Sequence, residues 1–333
     1  MKKILVIRCG ALGDLVYATS VIDALKMEYG DDTLIDFVTT PGTGTLFNKD
    51  PRVNTVFPLK HKKIPIIFSK EKKAIIQASK ENPYDILINF EYGKQFISLL
   101  QAIDAKKKVG ANLSNPKLDP NAVHMVEIIK ELYKEVVSKE TLQNAMPRLI
   151  GSSQTEIQKY DLPKKYIIIS PSNSHQKRNR LNYRAWVDEH WKELITQLAK
   201  KIPVVIIGGK GEEHFFQKLL PYPENVIDLV GKTPLVDLVS IIQNASALIA
   251  TDTGTAHIAS AVNTPVYALI GPTPAEVTGP YKTPQNEVYI ISAHLPCSPC
   301  YKTEVMKNCK DNICMKQITP QMVLQTLEQT LLH

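Results

Sequence analysis

Short apolar runs rich in β-branched residues alternate with helix-length amphipathic stretches along the chain, and the alternation occurs twice. In the first half the runs are Ile4–Ile7, Leu34–Val38, Asn54–Phe57 and Asp85–Phe90, separated by helical patterns at about 15–29, 66–82 and 93–103. In the second half they are 166–170, 204–208, 225–230, 247–251, 266–270 and 288–292, with helical patterns at about 184–200, 212–220, 234–244 and 255–262. Strands separated by helices must pair in parallel through crossover connections. Runs that are apolar on both faces suit strands covered on both sides. The rhythm breaks at 141–164, where Pro147, Gly151-Ser152-Ser153 and Pro163 fall, so a linker is expected near 150–163. The fold class is therefore α/β, with two doubly wound domains, 1–155 and 156–317, and a final helix in 318–333. Open α/β sheets bind ligands beyond the carboxyl ends of their strands. The site is expected in a cleft between the domains.

Charge and cysteine usage narrow the class. No apolar run in the 333 residues approaches the roughly 18 needed to span a bilayer. Only four consecutive apolar residues precede Arg8, short of a signal-peptide core of about 7 to 15. A cytoplasmic protein is expected. The net charge is +7, and residues 1–150 carry most of it, with 22 Lys and Arg against 17 Asp and Glu. Lysine runs at Lys60, Lys62, Lys63, at Lys70, Lys72, Lys73, and at Lys106, Lys107, Lys108 suit a solvated surface or an anionic partner. No interleaved aromatics or nucleic-acid motif support a nucleic-acid partner.

Several loop mouths carry chemistry. In "CGALGDLVYAT", residues 9–19, Asp14 stands where a helix should begin, directly behind the first strand. The positive end of a helix favours a carboxylate there, but a phosphate loop would not carry one. In "TDTGTAH", Asp252, Thr253, Gly254 and His257 crowd a strand-to-helix turn. One capping residue would suffice, and glycine lets a ligand approach the main chain, so this turn reads as a diphosphate site. The segment "SPSNSHQKRNRLNYRAW" (170–186) places Ser172, Lys177, Arg178, Arg180 and Arg184 beyond a strand end, where arginine can hold phosphate oxygens bidentately. In "GGKGEE" (208–213), Glu212 offers an acceptor to a ribose diol, and Thr233 completes the candidate nucleotide-binding set. Neither a Walker motif nor a dinucleotide fingerprint is present, which argues against a nicotinamide dehydrogenase. Late in the chain Cys297, Cys300, Cys309 and Cys314 follow C-x2-C-x8-C-x4-C spacing. That spacing is compatible with a structural zinc or iron, with reduced thiols or with a disulfide. Cys9, in the first turn, reads as a packing residue.

With these stretches in view, the chain resembles glycosyltransferase family 9, the heptosyltransferases of lipopolysaccharide core assembly. The resemblance rests on "ILVIRCGALGDLVYATSVIDAL" (4–25), "RAWVDEHWKEL" (184–194) and "TDTGTAHIASAVNTPVYALIGPT" (251–273). It implies a GT-B fold, two facing Rossmann-like domains with a C-terminal helix crossing back to the first. The first would bind the acceptor and the second the nucleotide-sugar. It further implies inverting transfer from ADP-L-glycero-D-manno-heptose to an inner-core acceptor without a catalytic cofactor. Asp14 would be the general base, and Asp252, Thr253, Gly254 and His257 would bind nucleotide. The family's diphosphate-steadying lysine aligns with Arg184 through "EHWKEL" and with Arg180 through the preceding basic segment. The family's usual proline after its GD motif is Ser20 here. Similar cysteine clusters occur in relatives, including iron-binding heptosyltransferases. The implied partners are ADP-heptose and a lipid-anchored anionic core oligosaccharide at the cytoplasmic face of the inner membrane. A UDP- or GDP-sugar donor, or a non-catalytic module binding a sugar nucleotide or the lipid core, are the alternatives.

Overall fold

The computed structural model describes residues 1–60, 69–171 and 181–331. It consists of two compact units, Met1–Gly151 and Ser152–His333. The first holds a five-stranded parallel sheet: β1 (Lys3–Ile7), β2 (Leu34–Thr39), β3 (Thr55–Pro58), β4 (Tyr84–Asn89) and β5 (Ala105–Gly110), in the order β3-β2-β1-β4-β5. The central strand, β1, sets Ile4 opposite Ile35 on one side and Ile86 on the other. Residues Ile4 to Ile7 are fully buried, as a strand covered on both faces requires. The chain steps outward from β1 to β3, then returns to the other flank of β1. The order therefore reverses between β1 and β4.

Three elements of this unit differ from the sequence expectation. The lysine run at 106–108 is the edge strand β5, paired only with β4. Lysines at an edge discourage further strand pairing, and they hide the strand from a hydrophobicity reading. The helix Met125–Tyr133 was not anticipated; it buries Val126, Ile129, Leu132 and Tyr133. The stretch expected as one helix at 15–29 forms two, Leu12–Ala18 and Ser20–Tyr29. At the junction the Thr19 hydroxyl donates to the Val16 carbonyl at 2.7 Å and Ser20 donates to Tyr17 at 3.2 Å, back-bonding of the kind that bends helices.

The second unit holds a six-stranded parallel sheet: β6 (Ile167–Ser170), β7 (Val204–Ile206), β8 (Val226–Asp228), β9 (Ala247–Thr251), β10 (Val266–Leu269) and β11 (Val288–Ile291), in the order β11-β10-β9-β6-β7-β8. Here the reversal lies between β6 and β9. The helix expected at 184–200 begins at Asp188. Asn182 folds the approach into a turn, its side chain accepting from Arg184 N at 3.2 Å and its carbonyl from Ala185 N at 3.1 Å. Arg184 is thus on a loop, ahead of the helix. The last helix, Pro320–Thr330, has Thr319 as N-cap and buries Val323 and Leu327 against the helix Asp188–Ala199 in this unit's core. Burial of a leucine such as Leu327 contributes roughly 1.5–3 kcal/mol. The Trp186 indole N–H donates to the Ile318 carbonyl at 2.7 Å and ties this helix's entry to the same core. Among the described residues no helix is long and apolar enough to cross a membrane.

Candidate active site

In each sheet the strand-order reversal leaves a crevice at the carboxyl ends of two neighbouring strands, where doubly wound folds place ligands. In the first unit these are the ends of β1 and β4. Beyond β1, Arg8 turns its guanidinium between two carboxylates. Its Nη2 lies 3.1 Å from Asp14 Oδ1, its Nη1 lies 3.6 Å from Glu91 Oε1, and Nη1 also donates to the Phe90 carbonyl at 3.1 Å. The second Asp14 oxygen, Oδ2, accepts the Ala11 N–H at 3.0 Å, closing the first turn of the helix Leu12–Ala18. Glu91 accepts the Cys9 N–H at 2.8 Å. It is set by Asn89, whose side chain accepts from Glu91 N and donates to the carbonyls of Glu91 and Ala111. The Asp14 side chain is 41% exposed, whereas Arg8 and Glu91 are 12% and 14% exposed. Asp14 is therefore the member of the trio that solvent or a ligand reaches. Both its oxygens are fixed in direction, and each keeps lone-pair capacity.

Arg8 and Glu91 were not among the sequence candidates. Arg8 carries one readable signal: it ends the apolar run at the carboxyl end of β1. Glu91 becomes relevant only because β4, 82 residues away, pairs beside β1. Cys9 is buried, and its thiol donates to the Val38 carbonyl at 3.7 Å. Burial, then the nearby Glu91, push that thiol's pKa up against the opposing effect of Arg8, so it is a packing group.

In the second unit the crevice lies between the ends of β6 and β9. The Thr255 hydroxyl donates across it to the Ser170 hydroxyl at 2.9 Å. Asp252 and Thr253 follow β9, and Thr253 caps the helix Gly254–Ala261 by accepting from Thr255 N at 3.3 Å. Gly254 opens that helix, and His257 is buried on its first turn. Arg184 reaches the same place from its loop: Nη1 lies 3.3 Å from Asp252 Oδ2, and the guanidinium carbon sits 4.7 Å from the centre of the Tyr301 ring. Arg184 Nε, Thr251 Oγ1 and Thr273 Oγ1 are buried without a hydrogen-bond partner. Buried polar atoms are seldom left unsatisfied, so Arg184 Nε and the Thr251 hydroxyl at the end of β9 mark a place for a polar ligand. Tyr301 was missed by the sequence reading, because nothing in its own stretch signals the approach to Arg184.

The other candidates are placed as follows. Glu212 lies on the loop beyond β7, and its Oε2 accepts the Gly209 N–H at 2.6 Å. Thr233 is half-buried in the turn after β8, at the sheet's edge. Ser172, Lys177 and Arg180 lie outside the described residues, as do Lys62 and Lys63.

The four late cysteines are free thiols. Burial, and then the neighbouring thiols Cys297 and Cys309, raise the pKa of Cys300; burial and then Cys300 push Cys314 up to about 11. Among the described residues, however, no three His, Cys, Asp or Glu side chains form a group that could hold a metal ion. Cys297 is exposed, Cys309 donates to the Asp311 carbonyl at 3.0 Å, and Cys314 packs against Gly271. The expected four-cysteine ligand set is thus not assembled: the thiols are neighbours that face different partners.

The model of glycosyltransferase family 9 (heptosyltransferase) matches residues 74–310. Lipopolysaccharide heptosyltransferase 3 of Escherichia coli is 24% identical over 287 residues, 78% of this chain and 81% of that protein. Lipopolysaccharide heptosyltransferase 1 of Pseudomonas aeruginosa is 22% identical, with 99% of this chain and 98% of that protein covered. Among solved structures, the E. coli ADP-heptose lipopolysaccharide heptosyltransferase II superposes with a TM-score of 0.78 at 23% identity, covering 100% of this chain and 99% of that one. The fold, two Rossmann-like units with parallel sheets, is GT-B.

Proposed function

The chain belongs to glycosyltransferase family 9 and is a glycosyltransferase, and we propose that it moves a heptose from ADP-L-glycero-D-manno-heptose to an anionic inner-core lipopolysaccharide or lipooligosaccharide acceptor, with inversion. The observation that carries this is Asp14, an accessible carboxylate at the first sheet's crevice, aimed by Arg8 on one oxygen and a main-chain N–H on the other. In this reading an acceptor hydroxyl gives its proton to Asp14 as its oxygen bonds to the anomeric carbon. The bond from that carbon to the diphosphate oxygen breaks, and ADP leaves with the electron pair. General-base help of this type is worth roughly 10²–10⁴-fold.

The second unit would hold the nucleotide. Arg184 and the first-turn amides of the helix Gly254–Ala261 would meet the charge that grows on the leaving diphosphate, a task cations and helix termini perform without a metal. Asp252, Thr253 and His257 line the same crevice, and Glu212, one strand further along, would take the ribose hydroxyls. The relatives' names and the ADP-heptose in the name of the superposed enzyme support the donor and acceptor assigned. The lysine-rich first unit supports an anionic, lipid-linked acceptor at the cytoplasmic membrane face. Thermal-shift titration with ADP, UDP and GDP tests the donor assignment, since a ligand of the folded state raises the melting temperature by mass action. ADP should give the largest shift at equal concentration; a larger shift with UDP or GDP contradicts the ADP-sugar reading.

A further inference from the structure

The cysteine-bearing segment, residues 297–314, grips the turn that follows β10 on one side and the loop that carries Arg184 on the other. On one side the N–H groups of Cys300 and Tyr301 both donate to the Pro272 carbonyl at 2.9 Å, and the Ser298 hydroxyl donates to the Gly271 carbonyl. Cys314 presses on the same turn: a Cβ at Gly271 would stand 2.8 Å from its sulfur. On the other side the Asn312 amide donates to the carbonyls of Asn182 and Ala185 at 3.2 and 2.8 Å, and the Tyr183 hydroxyl donates to the Cys309 carbonyl at 3.3 Å. Arg184 lies within the gripped 182–185 stretch. Its guanidinium rests on the ring of Tyr301 and points an edge at Asp252.

We propose that this segment is a clamp for the nucleotide site, and that Tyr301 is a positioning residue that holds the guanidinium of Arg184 ready for the leaving diphosphate. The inference rests on reading Arg184 as the cation for that diphosphate. An arginine on a loop has many rotamers, and each one lost on binding weakens affinity. Stacking on an aromatic face removes that freedom beforehand. It also occupies only the flat face of the guanidinium, so the N–H groups not turned to Asp252 stay for phosphate oxygens. The unpartnered Nε of Arg184 is one such edge. A lysine in its place would neither stack nor present two parallel donors.

The test is a double-mutant cycle on ADP affinity, by calorimetry on the full chain, with donor KM and kcat alongside. Tyr301→Leu should weaken ADP binding by up to roughly tenfold, the scale of ordering one rotamer-rich side chain on binding. It should raise donor KM accordingly while kcat falls less, and Tyr301→Phe should restore wild-type values. In an Arg184→Ala background, Tyr301→Leu should add nothing, because the group it positions is gone. A merely structural role would lower affinity equally in both backgrounds, and that result overturns the proposal, as does an unchanged affinity in Tyr301→Leu. Should the leucine variant not fold, Tyr301→Met, whose flexible unbranched side chain fills irregular gaps, carries the same cycle. If Arg184→Ala itself binds ADP as tightly as wild type, the diphosphate reading of Arg184 fails and the clamp fails with it. If only the tyrosine variants are silent, the clamp alone fails.

Discussion

Replacing Gly10 by alanine perturbs Asp14 without touching its chemistry. A Cβ at residue 10 would stand 2.5 Å from the Asp14 Cβ, 2.7 Å from Oδ2 and 2.9 Å from Cγ. A rotamer change cannot relieve the first of these, because the Asp14 Cβ is bonded directly to the helix backbone. The turn or the start of the helix must move by roughly 1 Å to restore van der Waals contact. Overpacking of this kind costs about 1–3 kcal/mol of stability. The movement also draws Oδ2 off the Ala11 N–H and Oδ1 off Arg8. Misplacing a reacting group by about 1 Å can cost on the order of 10²-fold in rate. The assay is steady-state transfer to an inner-core acceptor, with ADP affinity measured separately by calorimetry. Gly10→Ala should keep its ADP affinity, since the nucleotide crevice is in the other unit, and lose about 10²-fold in kcat. A folded variant with near-wild-type kcat would refute the claim that the aim of this carboxylate matters.

Three further outcomes follow from the structure. At neutral pH a maleimide should label Cys297, the exposed thiol, ahead of Cys9 and Cys314, because burial keeps those two protonated and Cys314 titrates only at about 11; peptide mass mapping that finds Cys9 or Cys314 labelled first would contradict this. Burial opposes ionisation of Asp237, but hydrogen bonds from Lys159, Ser152 and Tyr160 outweigh it and hold its carboxyl below the usual carboxylate range. Its stabilising contribution is therefore present above the unfolded value of about 3.9 and is lost as pH falls through the folded one, so Asp237→Asn should lower the denaturation midpoint at pH 7 and flatten its fall in acid; an unchanged midpoint at pH 7 would sink the point. Raising salt should increase acceptor KM more steeply than donor KM, since exposed lysines act over a Debye length of roughly 10 Å at 0.1 M, and equal slopes would return those lysines to a solvated surface.

What could be read from the sequence follows from how local each signal is. The central strands β1, β6 and β9 are legible because burial on both faces writes an uninterrupted apolar run. The edge strand β5 is not, because its exposed lysines outweigh Val109 in any local reading. The turn from Asp252 to His257 stands out because capping alone does not need so many polar groups. The groups around it are another matter. Arg184 meets Asp252 and Tyr301 across more than 65 residues of chain, and Arg8 meets Glu91 across 83. These pairings depend on strand order and on a returning loop, neither of which leaves a mark in the neighbouring residues. The cysteine spacing shows the opposite limit: proximity in sequence brought the thiols near one another, but their packing against Gly271 and the Asp311 carbonyl turned them to separate partners.

In the proposed reaction Asp14 accepts the proton of an acceptor hydroxyl as the heptose is transferred. The most direct measurement is single-turnover transfer of labelled heptose from ADP-heptose into the lipid-linked acceptor, comparing wild type with Asp14→Asn. The asparagine keeps the shape and the contact with Ala11 N–H but cannot take the proton. The variant should keep wild-type ADP affinity, the wild-type enzyme should place label in the lipid fraction, and Asp14→Asn should transfer at a rate at least about 10²-fold lower. Transfer by Asp14→Asn at the wild-type rate, or no transfer from ADP-heptose by the wild-type enzyme, would contradict it.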